Sequence, residues 1–208
     1  MRAVQVTAYG GPEVLRAVEI DRPSPISTEV LVRVLAAGVN PVDCKTRRGE
    51  GVSRWVGPPP FLLGWDVAGV VEAAGYGVTR FGIGDLVYGM PRFPRAAGCY
   101  AEFVCAPALQ FARAPAGISP VEAAALPLAA LTAWQCLVDA SQLRAGETVV
   151  VHGASGSVGH LAAQLAAARG ATVMSTSGRD DRGALASREA DVALDLVCLL
   201  YTSPSPRD

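Results

Sequence analysis

Lysine and asparagine are almost missing from this chain of 208 residues. Its 18 basic residues are 17 arginines and one lysine, Lys45, and Asn40 is its one asparagine. The 19 acidic residues leave a net charge of -1, with both signs scattered. No basic patch is present to hold nucleic acid or an anionic membrane surface. Cysteine is also scarce. The five, at 44, 99, 105, 136 and 198, include no CxxC pair. That excludes a disulfide framework and a zinc ribbon, and it suits a reducing cytoplasm. Long apolar runs are absent too. The richest stretch, 121–138, carries Glu122 and Pro127, which argues against a membrane span. The opening MRAVQV alternates like a strand and lacks the apolar core of a signal peptide.

What is present suits a folded chain. Half the residues are apolar, 18% are charged and the mean hydropathy is +0.30. A core can be buried, and the length fits one domain plus a piece of another. Abundant Ala, Gly, Arg and Pro suggest a GC-rich coding bias that depletes Lys and Asn. That Asn40 and Lys45 survive within six residues marks this segment as one with a task.

The first part of the chain reads as short strands with Gly/Pro turns, the pattern of a small barrel or sandwich. Strands are expected at 1–7, 15–20, 29–38, 66–73, 86–88 and 100–106, with a short helix after Asn40-Pro41-Val42-Asp43. In 29–38, Val30, Val32 and Val34 alternate with Leu31, Arg33 and Leu35, as in a half-buried strand. The texture changes after Pro115. Residues 120–140 are helical in character, interrupted near Pro127. Then follow an apolar strand (147–152), a glycine-rich turn (153–159), a helix (158–169) and a strand (171–176). A second helix (182–189) and a third strand (190–195) complete a β-α-β-α-β order, the first half of a doubly wound sheet. Val149, Val150 and Val151 read as a central strand buried on both faces. The end, YTSPSPRD (201–208), is polar and proline-punctuated and fits neither pattern.

The glycines at 153, 156 and 159 stand between a strand and a helix, with a second strand after the helix. That context suits a dinucleotide site. Small residues let backbone approach a pyrophosphate, whose charge sits on the helix N-terminal N–H groups. The segment Gly153, Ala154, Ser155, Gly156, Ser157, Val158 and Gly159 is therefore expected to hold the cofactor. An NAD site places a carboxylate at the tip of the second strand. Here stand Ser175, Ser177 and Arg179, with no carboxylate before Asp180. Hydroxyls and a guanidinium suit a 2′-phosphate, so NADP is the expected cofactor.

GVNPVDCKTRRG (38–49), FLLGWDVAGVVEAAG (61–75), FGIGDLVYGM (81–90) and the glycine-rich unit resemble, in this order, the medium-chain dehydrogenase/reductase superfamily. Within it they are similar to the zinc-free quinone oxidoreductases and zeta-crystallin-like proteins. The resemblance implies a GroES-like catalytic domain (1–118) followed by the first half of a Rossmann domain (119–196). Residues 197–208 then read as a tail foreign to the fold, and the chain as a fragment without its second Rossmann half and itself inactive. Zinc-bearing members have Cys where this chain has Asn40, and His-Glu where it has Trp65-Asp66. No metal site is therefore expected. The resemblance places Asn40 and Lys45 on the acceptor side and Thr132 near the nicotinamide. It implies a cytoplasmic, homodimeric NADPH-dependent reductase of quinones or α,β-unsaturated carbonyls. Rival readings are an enoyl-thioester reductase and a nucleotide-binding or structural relative without turnover. Asp43 suits helix capping, and His152 and His160 suit structural roles. Cys99 and Cys105 read as buried small residues.

Overall fold

A computed structural model of the chain describes residues 1–177 and 192–195. It divides into two compact units, Met1–Leu128 and Ala129–Asp208. The helix expected over 182–189, Arg179 and the 197–208 tail lie outside the described residues.

The first unit is an antiparallel, curled β structure. Strands β1 (Arg2–Val6), β2 (Leu15–Glu19) and β4 (Phe61–Leu62) form one sheet in the order β2-β1-β4. Strands β3 (Glu29–Ala37), β5 (Val67–Ala74), β6 (Leu86–Gly89), β7 (Phe103–Pro107) and β8 (Phe111–Arg113) form another, ordered β7-β3-β5-β6-β8. Val30, Val32, Val67, Val71, Val87 and Val104 meet inside it, each at most 2% exposed. Full burial of each valine side chain contributes roughly 1.5–2 kcal/mol. The simple alternation expected for β3 breaks down at its start, where Glu29, Val30, Leu31 and Val32 are all buried. Strands β5 and β7 flank β3 on both edges, and the Glu29 carboxylate is kept inside by an ion pair with Arg92.

Two short helices follow β3. Helix α1 (Pro41–Arg47) carries the NPVD motif, and α2 is Ser53–Val56. Helix α3 (Pro120–Ala124) opens with a capping box: Glu122 Oε2 accepts the Ser119 N–H at 2.7 Å. Ala123 and Ala124 pack against Ala68 of β5, which attaches α3 to the β unit. Helix α3 therefore belongs with the first compact unit, which ends at Leu128, whereas the resemblance implies a boundary at 118/119.

Helix α4 (Pro127–Trp134) runs into a π-helical turn, Gln135–Ala140. Beyond it lie β9 (Thr148–His152), α5 (Ser157–Ala168), β10 (Thr172–Ser177) and β11 (Val192–Asp195). The three strands are parallel in the order β11-β10-β9, as in the first half of a doubly wound sheet. Ala162, Ala163 and Ala166 of α5 pack with Val151 of β9 and Val173 of β10. Small side chains let the helix lie close on the sheet. Val150, on the other face of β9, is 48% exposed. The strand at Val149–Val151, expected to be central in a complete doubly wound sheet and an edge in this chain, is an edge strand covered on one face among the described residues.

Candidate functional site

Each unit carries a group of candidate residues, and the two groups are taken in turn. In the first unit, β3 ends at Ala37 and the chain turns through Gly38 into α1. Asn40 is the N-cap, Pro41 occupies the first helical turn, and Asp43 reaches back so that its Oδ2 accepts the Asn40 N–H at 2.8 Å. The short motif thus fixes its own helix start, and Asp43 caps from the third helical position. Both side chains are buried.

Asn40 Nδ2 donates to Asp66 Oδ2 at 2.8 Å, across 26 residues of sequence. The second oxygen of Asp66 accepts the Leu128 N–H at 2.9 Å. Asp66 is 1% exposed, and among the described residues no Lys, Arg or His forms an ion pair with it or with Asp43. Burial pushes the Asp66 carboxyl up to about 6; its two N–H partners oppose the shift and nearby Asp43 adds to it. Burial also raises Asp43. Tyr100 donates to the Gly38 carbonyl at 3.2 Å and lies near Asp43; burial, followed by that carboxylate, raises its phenol. Cys99, fully buried, donates from Sγ to the Trp65 carbonyl, and burial pushes its thiol well up. Trp65 fills the core, with its indole N–H on the Arg95 carbonyl at 2.8 Å and its ring edge-on to Phe93. Cys105 meets Glu29 instead, so the two thiols have separate partners.

Gly38 is where the backbone must come close. A Cβ there would sit 2.8 Å from Asp66 Cβ and 2.5 Å from the Ala124 carbonyl oxygen. Gly38→Ala is expected to destabilise the first unit by about 2–3 kcal/mol, the range for overpacking a core. Urea unfolding followed by tryptophan fluorescence measures it, and an unchanged midpoint would contradict it.

Lys45 lies on α1, is solvent-exposed, and makes no ion pair among the described residues. Its charge is available at the surface. Thr132 lies half-buried on α4.

In the second unit the glycine-rich turn joins β9 to α5. Gly153 adopts a left-handed φ of +67. The Ala154 N–H donates to the Thr176 carbonyl at 3.0 Å, and Thr176 Oγ1 lies 3.2 Å from His152 Nδ1. Thr176 therefore ties the turn to the end of β10. Gly156 is the N-cap of α5, and Gly153, Gly156 and Ser157 are exposed. Ala154 and Gly159 are buried, while Ser155 and Val158 are half-buried. The first N–H groups of a helix have no partner within it, so those of Ser157, Val158 and Gly159 are suited to an anion. Ser175 is fully buried on the same face as Val173, and its Oγ has no partner among the described residues. Ser177 ends β10, in register with Asp195. His160 Nδ1 lies 2.9 Å from the Gly156 carbonyl oxygen on its own helix.

Two residues carry more here than their sequence positions suggested. Asp66 reads as the remnant of a lost metal ligand, yet it collects the hydrogen bonds of two segments. Its signal was an aspartate inside the apolar run FLLGWDVAGVV. Thr176 had no signal beyond its place at a strand end.

An antiparallel GroES-like unit followed by a parallel strand–glycine turn–helix–strand unit is the plan of the medium-chain dehydrogenases/reductases. Residues 26–116 match the alcohol dehydrogenase GroES-like domain. The chain is 39% identical over 183 residues to quinone oxidoreductase of Rattus norvegicus, an alignment covering 87% of this chain and 54% of the relative. A solved quinone oxidoreductase from Coxiella burnetii superposes with a TM-score of 0.86 at 38% identity, covering 93% of this chain and 62% of that one. A mycobacterial protein solved with NADPH gives a TM-score of 0.81 at 37% identity, over 94% and 58%. Over most of its length the chain is thus similar to medium-chain dehydrogenases/reductases of the quinone oxidoreductase type, and its GroES-like part matches their catalytic domain. It spans about half the length of the curated relatives it matches.

Proposed function

We propose that the protein is a zinc-independent, NADPH-dependent oxidoreductase that reduces a quinone or an α,β-unsaturated carbonyl. The observation that carries this reading is the turn at Gly156. A Cβ there would meet only the Gly153 carbonyl oxygen, at 3.3 Å, so packing has little need of glycine, and the turn is open to solvent. An open, glycine-lined helix start fits a pyrophosphate. Ser157, Val158 and Gly159 would hold it through backbone N–H groups, with Ser155 and Ser157 supplying hydroxyls. Ser175 is turned inward, so recognition of the 2′-phosphate rests on Ser177 and Arg179. The nicotinamide supplies the hydride when bound. Thr132 would lie beside it. Asn40 and Lys45 would stabilise negative charge growing on the acceptor oxygen, the amide through its N–H and the ammonium through its charge. NADPH oxidation against a panel of small quinones and enones, by the chain extended with a second Rossmann half from a relative, tests the assignment; no turnover with any acceptor would remove it.

Arg179→Ala is expected to weaken NADPH by about 1.5–3 kcal/mol, the scale of a charged hydrogen bond, and to leave NADH nearly unchanged. Fluorescence titration of both cofactors measures this, and tighter NADH binding by the wild type would reverse the cofactor assignment. Lys45→Ala should lower kcat about tenfold at unchanged NADPH affinity, the pattern of lost transition-state stabilisation. An unchanged kcat would return Lys45 to the solvent-exposed surface it occupies. The donor chemistry around Asn40 also disfavours zinc. Trp65 has no ligating atom, and both Asp66 oxygens are engaged by N–H groups. Elemental analysis should find well under one zinc per chain.

A further inference from the structure

We propose that Asp66 is a positioning residue that fixes which way the Asn40 side-chain amide faces. One carboxylate oxygen accepts from Asn40 and the other from the start of α4. The proposal rests on the reading of Asn40 as an acceptor-side group.

The argument starts from cost. Asp66 is buried with no cation paired to it among the described residues, an arrangement that works against stability. A neutral asparagine would satisfy the Leu128 N–H at a smaller desolvation cost. What a carboxylate adds is an acceptor that cannot donate. Facing it, the Asn40 amide has one satisfied orientation, nitrogen towards Oδ2, with one N–H on the carboxylate and the second left for the acceptor. A protonated Asp66 both donates and accepts, so either orientation becomes possible.

The surroundings leave the carboxylate no freedom of its own. Gly38 packs on its Cβ, and Leu128 holds Oδ1. The titratable groups facing it are Asp43 on α1 and Cys99 before β7. Tyr100 faces Asp43 in turn. None of them is a cation, so nothing nearby holds Asp66 ionised to low pH. Its rise to about 6 means that the amide is held above that pH and released below it.

Asn40 is the one asparagine in the chain, so labelling with [15N]asparagine gives a single side-chain NH2 pair in the NMR spectrum. In the wild type this pair is expected to titrate with a midpoint of about 6. Each variant adds one further pair; the pair that matches Asn40 of the wild type should no longer titrate in Asp66→Asn and should still titrate in Asp43→Asn. A flat wild-type resonance, or a titration that survives Asp66→Asn, would overturn the proposal. If Asp66→Asn does not fold, the wild type and Asp43→Asn decide: loss of the titration in Asp43→Asn would count against Asp66.

The second measurement is kinetic. With NADPH and a quinone, Asp66→Asn should lower kcat about tenfold, change the NADPH KM less than about twofold, and flatten the acid limb of the pH profile. Unchanged kcat and an unchanged acid limb would overturn the proposal on their own. The kinetics use the chain extended with a second Rossmann half from a relative; if that wild type shows no turnover, the oxidoreductase reading fails, and the resonance alone decides the positioning.

Discussion

Gly156→Ala is expected to lower NADPH affinity about a hundredfold, close to 2.7 kcal/mol, while the protein stays folded. The added Cβ meets the Gly153 carbonyl oxygen at 3.3 Å and nothing else within reach. Exchanging glycine for alanine at an N-cap costs under about 1 kcal/mol. A bound pyrophosphate, by contrast, needs the space that this Cβ would take. Gly159→Ala provides the contrast. Its Cβ would stand 2.3 Å from the Gly153 carbonyl oxygen and 2.8 Å from Ala154 Cα, so backbone must move. That variant should lose affinity and stability together. Isothermal titration with NADPH, paired with urea unfolding, separates the two. If Gly156→Ala binds NADPH like the wild type, the turn is a packing device and the dinucleotide site is lost with it.

The second large effect runs against intuition. At pH 8, Asp66→Asn should stabilise the chain by about 1–2 kcal/mol, although it removes a buried hydrogen-bonded carboxylate. The folded carboxyl sits at about 6, above its ordinary 3.8. The folded state therefore holds this proton more tightly than the unfolded state does. Its stabilising contribution is fully present below about pH 3.8 and is lost as pH rises through about 6. At one unit per 1.36 kcal/mol, the whole span is at most about 3 kcal/mol. Asp43, also raised by burial, adds in the same direction. An asparagine at position 66 never ionises, and its carbonyl can still accept the Leu128 N–H. The variant's advantage should therefore be present at pH 8 and absent near pH 4. Urea unfolding at both values measures it, and a clear loss of stability at pH 8 would contradict this sign. Greater stability with slower turnover is what a strained functional position shows.

Much of the first unit was legible because its signals are local. NPVD predicts a turn into a short helix with Asp43 in a capping role, and α1 begins inside that motif, at Pro41, with Asn40 as its N-cap. The break at Pro127 separates α3 from α4 as expected. The strand, glycine turn and helix around 148–168 follow from a change of apolar period from continuous to 3.6. Faces were harder to read than elements. Ser175 was placed at a strand end, but its side chain shares the α5 face with Val173, which puts it inside. The burial of Glu29 needs Arg92, 63 residues away, and neither residue announces the other.

The sequence by itself determined the order of elements and the glycine turn between β9 and α5, and it set Asn40 and Trp65 where the family resemblance implies thiolate and imidazole in zinc-bearing members. These depend on residue type and short spacing, which chain order preserves. Only the tertiary structure decided what Asp66 does. Its two partners lie 26 and 62 residues away, one the N-cap of α1 and one at the start of α4. Only the folding of β3, β5 and α4 brings them to one carboxylate. The raised proton affinity has the same origin, because desolvation is set by what packs around a group, not by its neighbours in the chain.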